Sequence, residues 1–230
     1  MEAIILAGGF GTRLRQLVPD LPKPMALVAG RPFLEILLAS LAKKGFRRVV
    51  LSLGYLAEKV VDYFGDQFAD MELVYEIEVT PLGTGGAIRQ SLERCFADHV
   101  YVFNGDTYLD VEASLVEEHW LAQRAPIIVA CQVSDTARYG RLETANNRVR
   151  GFSEKGLVGP GLINAGCYVL PRTILDEFPR GAAFSLEADF LAKAVAHQRF
   201  DVFVTARQFI DIGIPEDFLR AQTELAGVCI

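Results

Sequence analysis

Two spacings of apolar residues alternate along the chain and predict its elements. Short apolar runs mark strands: Ala3 to Leu6, Arg48 to Leu53 with its Val-Val-Leu, Glu72 to Ile77, His99 to Phe103, and Ile127 to Val133. Between them the apolar residues take helical spacing. Over 32–44, Phe33, Ile36, Leu37 and Leu41 fall at i, i+3, i+4 and i+8, a single stripe along a helix. Pro32 suits its first turn and Gly45 its stop. Further helices are read over 56–64, 83–95 and 111–123. Strands alternating with helices predict an α/β chain with a largely parallel sheet covered on both faces.

From Arg138 the texture changes. Strands over 139–144 and 148–153, split by Ala145-Asn146-Asn147, suggest a hairpin. A strand over 162–170 follows, then a helix over 171–177 and another over 186–197. Short strands over 201–205 and 208–212 lead to a closing helix over 215–225, begun by Pro215 with Glu216 and Asp217 in its first turn. No Ser/Gly linker, charge block or repeat separates the two textures. The chain therefore reads as one domain over 1–230, its second part extending the first sheet and adding a substrate-side lobe.

Charge narrows the partners. With 23 Lys and Arg against 29 Asp and Glu, the net charge is −6, which argues against nucleic acid. An acidic protein that binds anions must use local amides, a few cations and a metal. The four cysteines, Cys95, Cys131, Cys167 and Cys229, are scattered without a CxxC pair, which argues against a zinc site. The histidines His99, His119 and His197 are equally dispersed and read as structural. No run approaches the ~18 apolar residues of a membrane span, so no membrane partner and a cytoplasmic location are expected.

Candidate chemistry gathers at predicted strand ends, where ligands bind on parallel sheets. After the first strand stands Leu6-Ala7-Gly8-Gly9-Phe10-Gly11-Thr12-Arg13-Leu14. Its glycines let backbone amides approach phosphate oxygens, and Arg13 adds a fixed charge. Leu14 stands where a dinucleotide fingerprint needs its third glycine, and no Gly-Lys-Ser/Thr follows, so neither a dinucleotide turn nor a P-loop fits. Lys23, between Pro22 and Pro24, is held by restricted backbone. Pro81-Leu82-Gly83-Thr84-Gly85-Gly86-Ala87 is either a helix-start loop or a turn that approaches a flat base.

Asp106, after Val102-Phe103-Asn104-Gly105, and Asp211, in Phe209-Ile210-Asp211-Ile212-Gly213, each end a predicted strand. Alone each reads as a cap or turn residue. Facing one cleft, they would give Mg²⁺ the one or two carboxylates it takes beside substrate phosphates. Lys155 alone reads as a surface lysine. Glu187 reads as a first-turn helix carboxylate or a sugar-hydroxyl acceptor, and Asn164 as a strand-edge side chain or a sugar ligand.

The glycine loop, Pro22-Lys23-Pro24, Asn104-Gly105-Asp106 and Asp211-Ile212-Gly213 together resemble the sugar-1-phosphate nucleotidyltransferases, in order and spacing over nearly the whole chain. Within that family, Thr80 to Ile88, Asn104 to Thr107, Phe184 to Phe190 and Ile210 to Asp217 resemble the guanylyltransferases of heptose 1-phosphates. The resemblance implies a Rossmann-like three-layer α/β/α fold with a mostly parallel mixed central sheet, in which 1–135 binds nucleotide and 136–230 binds sugar phosphate. It implies transfer of GMP from GTP to a sugar 1-phosphate, with Mg²⁺ and release of pyrophosphate. A mannose 1-phosphate guanylyltransferase, or a uridylyl-, thymidylyl- or cytidylyltransferase of another sugar 1-phosphate, is the alternative. The product would serve lipopolysaccharide, capsule or S-layer glycan synthesis, and a homo-oligomer is compatible with the family.

The resemblance places Arg13 and Lys23 on the triphosphate, Lys155 on the sugar phosphate, and Asp106 and Asp211 on the metal. With Asp106, it puts Leu6, Ala7, Gly8, Gly9, Gly11, Thr12, Glu78, Pro81, Gly83, Thr84 and Gly105 at the nucleotide. Gly86, Tyr108, Gly140, Glu154, Asn164 and Glu187 join Lys155 at the sugar phosphate. Several relatives carry a glutamine before the second glycine turn to read a pyrimidine. Here Glu76 and Glu78 stand nearby, and a carboxylate suits the N1–H and N2 amino group of guanine. Hexapeptide repeats of a C-terminal β-helix are lacking, so no acyltransferase activity is expected. The sugar phosphate is already an anionic nucleophile, so positioning and electrostatics, through Arg13, Lys23, Asp106 and Lys155, would carry catalysis. A non-catalytic relative would lack these charges, and the poor fingerprint disfavours an NAD-linked oxidoreductase.

Overall fold

The computed structural model describes residues 1–9, 21–153 and 156–228. Strand β1 (Glu2–Leu6) begins the chain. A 3₁₀ turn over Lys23–Met25 leads to β2 (Leu27–Val28), β3 (Arg31–Pro32), α1 (Phe33–Lys43) and β4 (Arg48–Leu53). Next come α2 (Ala57–Phe64), β5 (Gln67–Phe68), β6 (Met71–Ile77), α3 (Gly83–Ser91), β7 (His99–Asn104), β8 (Thr107–Leu109), α4 (Ala113–Gln123) and β9 (Ile127–Val133). The remainder holds β10 (Leu142–Ala145), β11 (Arg148–Phe152), β12 (Gly161–Pro171), a π-helical turn over Leu186–Leu191, α5 (Ala192–His197), β13 (Asp201–Thr205), β14 (Phe209–Asp211) and α6 (Pro215–Glu224).

Among the described residues, ten strands form one sheet in the order β10-β11-β13-β9-β12-β7-β1-β4-β6-β5. Strands β6, β4, β1 and β7 are mutually parallel, and β12 enters antiparallel between β7 and β9. The sheet is therefore mixed and mostly parallel, as the alternation of elements predicts. Strands from both halves of the chain share it.

Period-two alternation sends successive side chains to opposite faces. Ala3 and Ile5 of β1, Val49 and Leu51 of β4, and Ile127 and Val129 of β9 join a core with α1, α2, α4 and α6. Ile4, Val50, Ile128 and Ala130, one position along, join a second core with α3 and the 186–197 helical segment. The three layers thus follow from unbroken apolar strands sandwiched between one-sided helices.

The structure corrects some expected elements. Residues 171–177 form consecutive i to i+3 turns rather than a helix, with Ile174 N donating to Pro171 O and Asp176 N to Thr173 O. The β-branched Thr173 and Ile174 disfavour a helix there, and Pro179 prevents its extension. The predicted helix over 186–197 starts as a π turn. The 208–212 strand leaves the main sheet and pairs with the unpredicted β8. The hairpin turn falls on Asn146 and Asn147, with φ +52° and +57°, the primed-turn geometry that asparagine tolerates.

The segment before the π turn is strapped across the start of α3. Phe184 N donates to Leu82 O at 2.9 Å, and Gly85 N donates to Phe184 O at 3.0 Å. A Cβ on Gly85 would stand 2.2 Å from the Phe184 ring. Gly85→Ala is therefore expected to lose about 1–3 kcal/mol of stability in urea unfolding, the usual cost of overpacking. Adding Phe184→Ala removes the clash, so the double variant should lose less than the sum of the single losses.

Candidate active site

Strand β1 sits where the strand order reverses: the chain runs from β1 to β4 to β6, then returns to β7 on the other side of β1. Such a switch point opens a crevice beyond the carboxyl ends. Parallel register sets Leu6 beside Ser52 of β4 and beside Asn104 of β7. A cavity of about 400 Å³ opens over these three residues. Its floor is Leu6 to Gly9, one wall is Lys23, Pro24, Asn104, Gly105, Asp106 and Gly213, and the other is Glu78, Pro81, Gly83, Thr84 and Ala87.

Backbone contacts fix the first wall. Gly105 N donates to Leu6 O at 2.9 Å, and a Cβ on Gly105 would stand 2.5 Å from that oxygen. Only glycine lets the β7–β8 turn rest on the end of β1, and this contact places Asp106 over the cavity. Gly83 has φ +69°, and a Cβ there would meet Phe184 O at 2.6 Å, so its glycine serves turn geometry and packing at the opposite wall.

Pairing of β14 with β8 sets Asp211 opposite Thr107, and Ile212 N donates to Asp106 O at 2.9 Å. Two carboxylates far apart in sequence thereby come close enough to repel, Asp106 lining the cavity and Asp211 standing behind it, outside the lining. Asp106 forms an ion pair with Lys23, whose side chain is only 12% exposed. Asp211 Oδ1 accepts from Gly213 N at 2.7 Å. Burial, then the charge of Asp106, push the Asp211 carboxyl above the usual aspartate range, against the pull of Gly213, Lys23 and Arg138. Among the described residues no group of three or more His, Cys, Asp or Glu is set to hold a metal. The donor set is two carboxylates, one buried and repelled by the other, which fits a hard cation that completes its shell with water and phosphate oxygens.

On the opposite wall Glu78 accepts from Leu82 N at 2.8 Å and, more distantly, from Ser52 Oγ at 3.4 Å. Burial raises its carboxyl above the ordinary range despite those two donors. Its Oε1 lies 2.9 Å from where a Gly8 Cβ would stand, so Gly8 keeps room for this carboxylate. Glu76 does not share the cavity. It is buried against Gln90 and Arg94 as an anchor for α3 and its extension.

The sugar-side candidates divide. Thr84 Oγ1 donates to Glu187 Oε2 at 2.9 Å, so Glu187 adjoins the cavity wall from the π turn. Asn164 lies at a break in the β12–β9 register, and Gly166, two residues on, abuts the cavity residue Asn104. Gly86 does not line the cavity, because its Cα faces the Ala182 carbonyl, 2.4 Å from a would-be Cβ. Tyr108 is a correction of a similar kind: it is buried in β8 and lines a separate small void against α1, with Leu37 and Leu41. Gly140 closes a turn on Thr136, with φ +77°, away from the cavity lining. Gly11, Thr12, Arg13, Glu154 and Lys155 lie outside the described residues.

Ser52, Asn104 and Gly213 line the cavity but were not singled out from sequence. The rule that ligands sit at carboxyl ends of parallel strands points to the first two, and Gly213 stands within a motif chosen for Asp211. The described cysteines are free and buried, and burial pushes the Cys95 thiol up to about 12, so none is a nucleophile. No helix among the described residues is long and apolar enough to cross a membrane.

Residues 2–227 match the family described as Nucleotidyl transferase. The chain belongs to that family. This nucleotidyl transferase is 40% identical over 226 residues to D-glycero-α-D-manno-heptose 1-phosphate guanylyltransferase of Aneurinibacillus thermoaerophilus, covering 98% of each chain. It is 38% identical over 219 residues to the protein of the same name from Campylobacter jejuni subsp. jejuni serotype O:2, covering 95% of this chain and 97% of that one. The crystal structure of HddC from Yersinia pseudotuberculosis complexed with GMP-PN aligns with a TM-score of 0.87 at 39% identity, over 97% of this chain and 99% of that one. The sugar-1-phosphate nucleotidyltransferase identity read from the strand-end motifs therefore holds, as does its α/β fold class.

The raised Asp211 carboxyl gives the nucleotidyl transferase a defined pH response. The native state holds the Asp211 proton to higher pH than the unfolded chain does. Stability is therefore lost as pH rises from the ordinary aspartate range through the native value. Asp211→Asn is expected to raise the thermal midpoint at pH 7 without divalent cations, by about 2–4 °C for each kcal/mol regained. The gain should vanish as pH falls below the usual aspartate range. A midpoint that drops at pH 7 would show that Asp211 is not held under repulsion.

Proposed function

We propose that this nucleotidyl transferase moves GMP from GTP to D-glycero-α-D-manno-heptose 1-phosphate, giving GDP-heptose and pyrophosphate. The observation that carries the reading is the division of one cavity into two chemistries. The Lys23, Asp106 and Asp211 cluster suits a charged triphosphate, and the Glu78 wall suits a purine edge with two donors. The similarity to two heptose 1-phosphate guanylyltransferases across nearly the whole chain supports both the base and the sugar.

In the proposed reaction a phosphate oxygen of the sugar 1-phosphate attacks the α-phosphorus of GTP. The new P–O bond forms as the bond from the α-phosphorus to the bridging oxygen breaks, and that oxygen leaves with pyrophosphate. The nucleophile is already ionised, so no general base is needed. The cost lies in bringing anions together, and lowering it takes placed positive charge. Lys23 supplies such charge at the wall. Arg13 is assigned to the leaving pyrophosphate and Lys155 to the sugar phosphate on the family resemblance.

Nucleotidyltransferases of this family generally use a divalent metal. We assign Mg²⁺ here, with Asp106 and Asp211 as the residues that would hold it and offset triphosphate charge. The reaction is placed in the cytoplasm, where GTP is supplied.

Pyrophosphate release from GTP, ATP, UTP and dTTP, tested against heptose, mannose and glucose 1-phosphates, decides the substrates. GTP with the heptose is expected to give the highest kcat/KM. Asp106→Asn should lower kcat at least about a hundredfold, as expected for loss of a group that places transition-state charge. Glu78→Gln should lower kcat/KM for GTP by roughly 10- to 100-fold, because the amide presents a donor where guanine needs acceptors. Full activity of Asp106→Asn, or an unchanged GTP preference in Glu78→Gln, would remove the role given to that residue.

A further inference from the structure

Four side chains from three elements, Asn164 and Tyr168 of β12, Glu187 of the π turn and Thr84 of α3, meet away from the triphosphate cluster. Tyr168 of β12 is fully buried, and its hydroxyl bridges Asn164 Nδ2 at 2.7 Å and Glu187 Oε1 at 3.1 Å. The other Glu187 oxygen accepts from Thr84 Oγ1 at 2.9 Å. Thr84 Oγ1 in turn accepts from Leu186 N at 2.8 Å, so its own proton is committed to Glu187. Asn164 Oδ1 accepts from Gly166 N at 3.1 Å.

The polarity of this chain is forced. The Glu187 carboxylate only accepts, so the Tyr168 hydroxyl must donate to it. A phenol has one hydrogen, so toward Asn164 it can only accept. Asn164 must therefore turn its NH₂ to Tyr168 and its carbonyl to Gly166. Burial, followed by the charge of Glu187, holds the Tyr168 proton well above the ordinary tyrosine range, so the hydroxyl keeps its proton as pH rises. What the network leaves for a ligand is a fixed pair: acceptor capacity on Glu187 and the second N–H of Asn164.

We infer that Tyr168 is a positioning residue that sets the polarity of the sugar pocket, holding Glu187 as acceptor and Asn164 as donor toward the sugar hydroxyls. The inference rests on the proposed reading of Glu187 and Asn164 as sugar-side residues. It adds a coupling that the reading lacks. Thr84 lines the nucleotide cavity and holds the same carboxylate, so the two substrate sites share one anchored group. The π turn that carries Glu187 is itself pinned, because Ser185 Oγ accepts from Ala188 N and Asp189 accepts from Ser185 N. A π turn in place of an α turn is a common device for aiming a side chain into a site.

The test uses the full chain, GTP and D-glycero-α-D-manno-heptose 1-phosphate. Tyr168→Phe keeps the ring and removes the hydroxyl. The expected result is a rise in KM for the sugar phosphate of about tenfold, the loss of one hydrogen bond to a charged group. KM for GTP should stay within about twofold. Asn164→Asp provides a second variant that leaves the buried ring untouched. It places two acceptors on one phenolic proton and removes the N–H offered to the sugar. Its sugar KM should therefore rise at neutral pH and fall only in part as the pH drops and the new carboxyl protonates, because its single proton then serves Tyr168.

Equal rises in both KM values for Tyr168→Phe would mark a general structural role and overturn the inference. So would a sugar KM for Asn164→Asp that does not respond to pH. Glu187→Gln separates the two levels. If it raises the sugar KM while Tyr168→Phe does not, the sugar site stands and the positioning role falls. If neither changes it, the sugar-side reading falls and the positioning role falls with it.

Discussion

The pairing of β14 with β8 sets Asp211 across from Thr107, the neighbour of Asp106, and the candidate site depends on that placement. The carboxylates of Asp106 and Asp211 repel, and the burial of Asp211 makes the repulsion harder to screen. The fold tolerates this because both residues are anchored by backbone. Gly105 rests on the end of β1, Ile212 N bonds the Asp106 carbonyl, and Gly213 N bonds the Asp211 carboxylate. Lys23 offsets part of the charge. A site that holds like charges against their repulsion is chemically suited to a cation, which is why the proposed metal role falls on these two carboxylates.

The glycines around the cavity show that a glycine-rich turn can have a packing reason as well as the ligand reason its sequence suggests. A glycine-rich turn suggests backbone approach to a ligand, yet Gly85 and Gly86 are small because the 182–184 segment lies across α3. That packing has its own functional consequence. It brings the π turn, and with it Glu187, to Thr84 at the cavity wall. Close packing between α3 and this segment is thus what joins the cavity wall to the π turn.

Glu76 and Glu78 show why sequence proximity did not decide a role. In a strand, residues two apart face the same way, and both glutamates contact α3 or its extension, but β6 ends at Ile77 and Glu78 lies one residue beyond its carboxyl end. Glu76 stays in the strand and pairs with Gln90 and Arg94, whereas Glu78 swings to the cavity and caps Leu82 N. Tyr108 fell on the wrong side for a related reason. It belongs to β8, a short strand with no signal of its own, so nothing in the sequence showed that its ring enters the core.

The sequence by itself determined most of the strand and helix order, the mostly parallel sheet and the family, because unbroken apolar runs, helical stripes and strand-end motifs are local patterns, whereas the short β8 and the turns at 172–177 left no such signal. It also marked the loop after β1, Asn104-Gly105-Asp106 and Asp211-Ile212-Gly213, because strand ends on a parallel sheet are where chemistry collects. Only the tertiary structure decided which of these meet. The β8–β14 pairing brings Asp211 to Asp106, the end of β6 selects Glu78 over Glu76, and the buried hydroxyl of Tyr168 ties Asn164 to Glu187. These are long-range contacts between residues whose local sequence reads the same whether or not they touch.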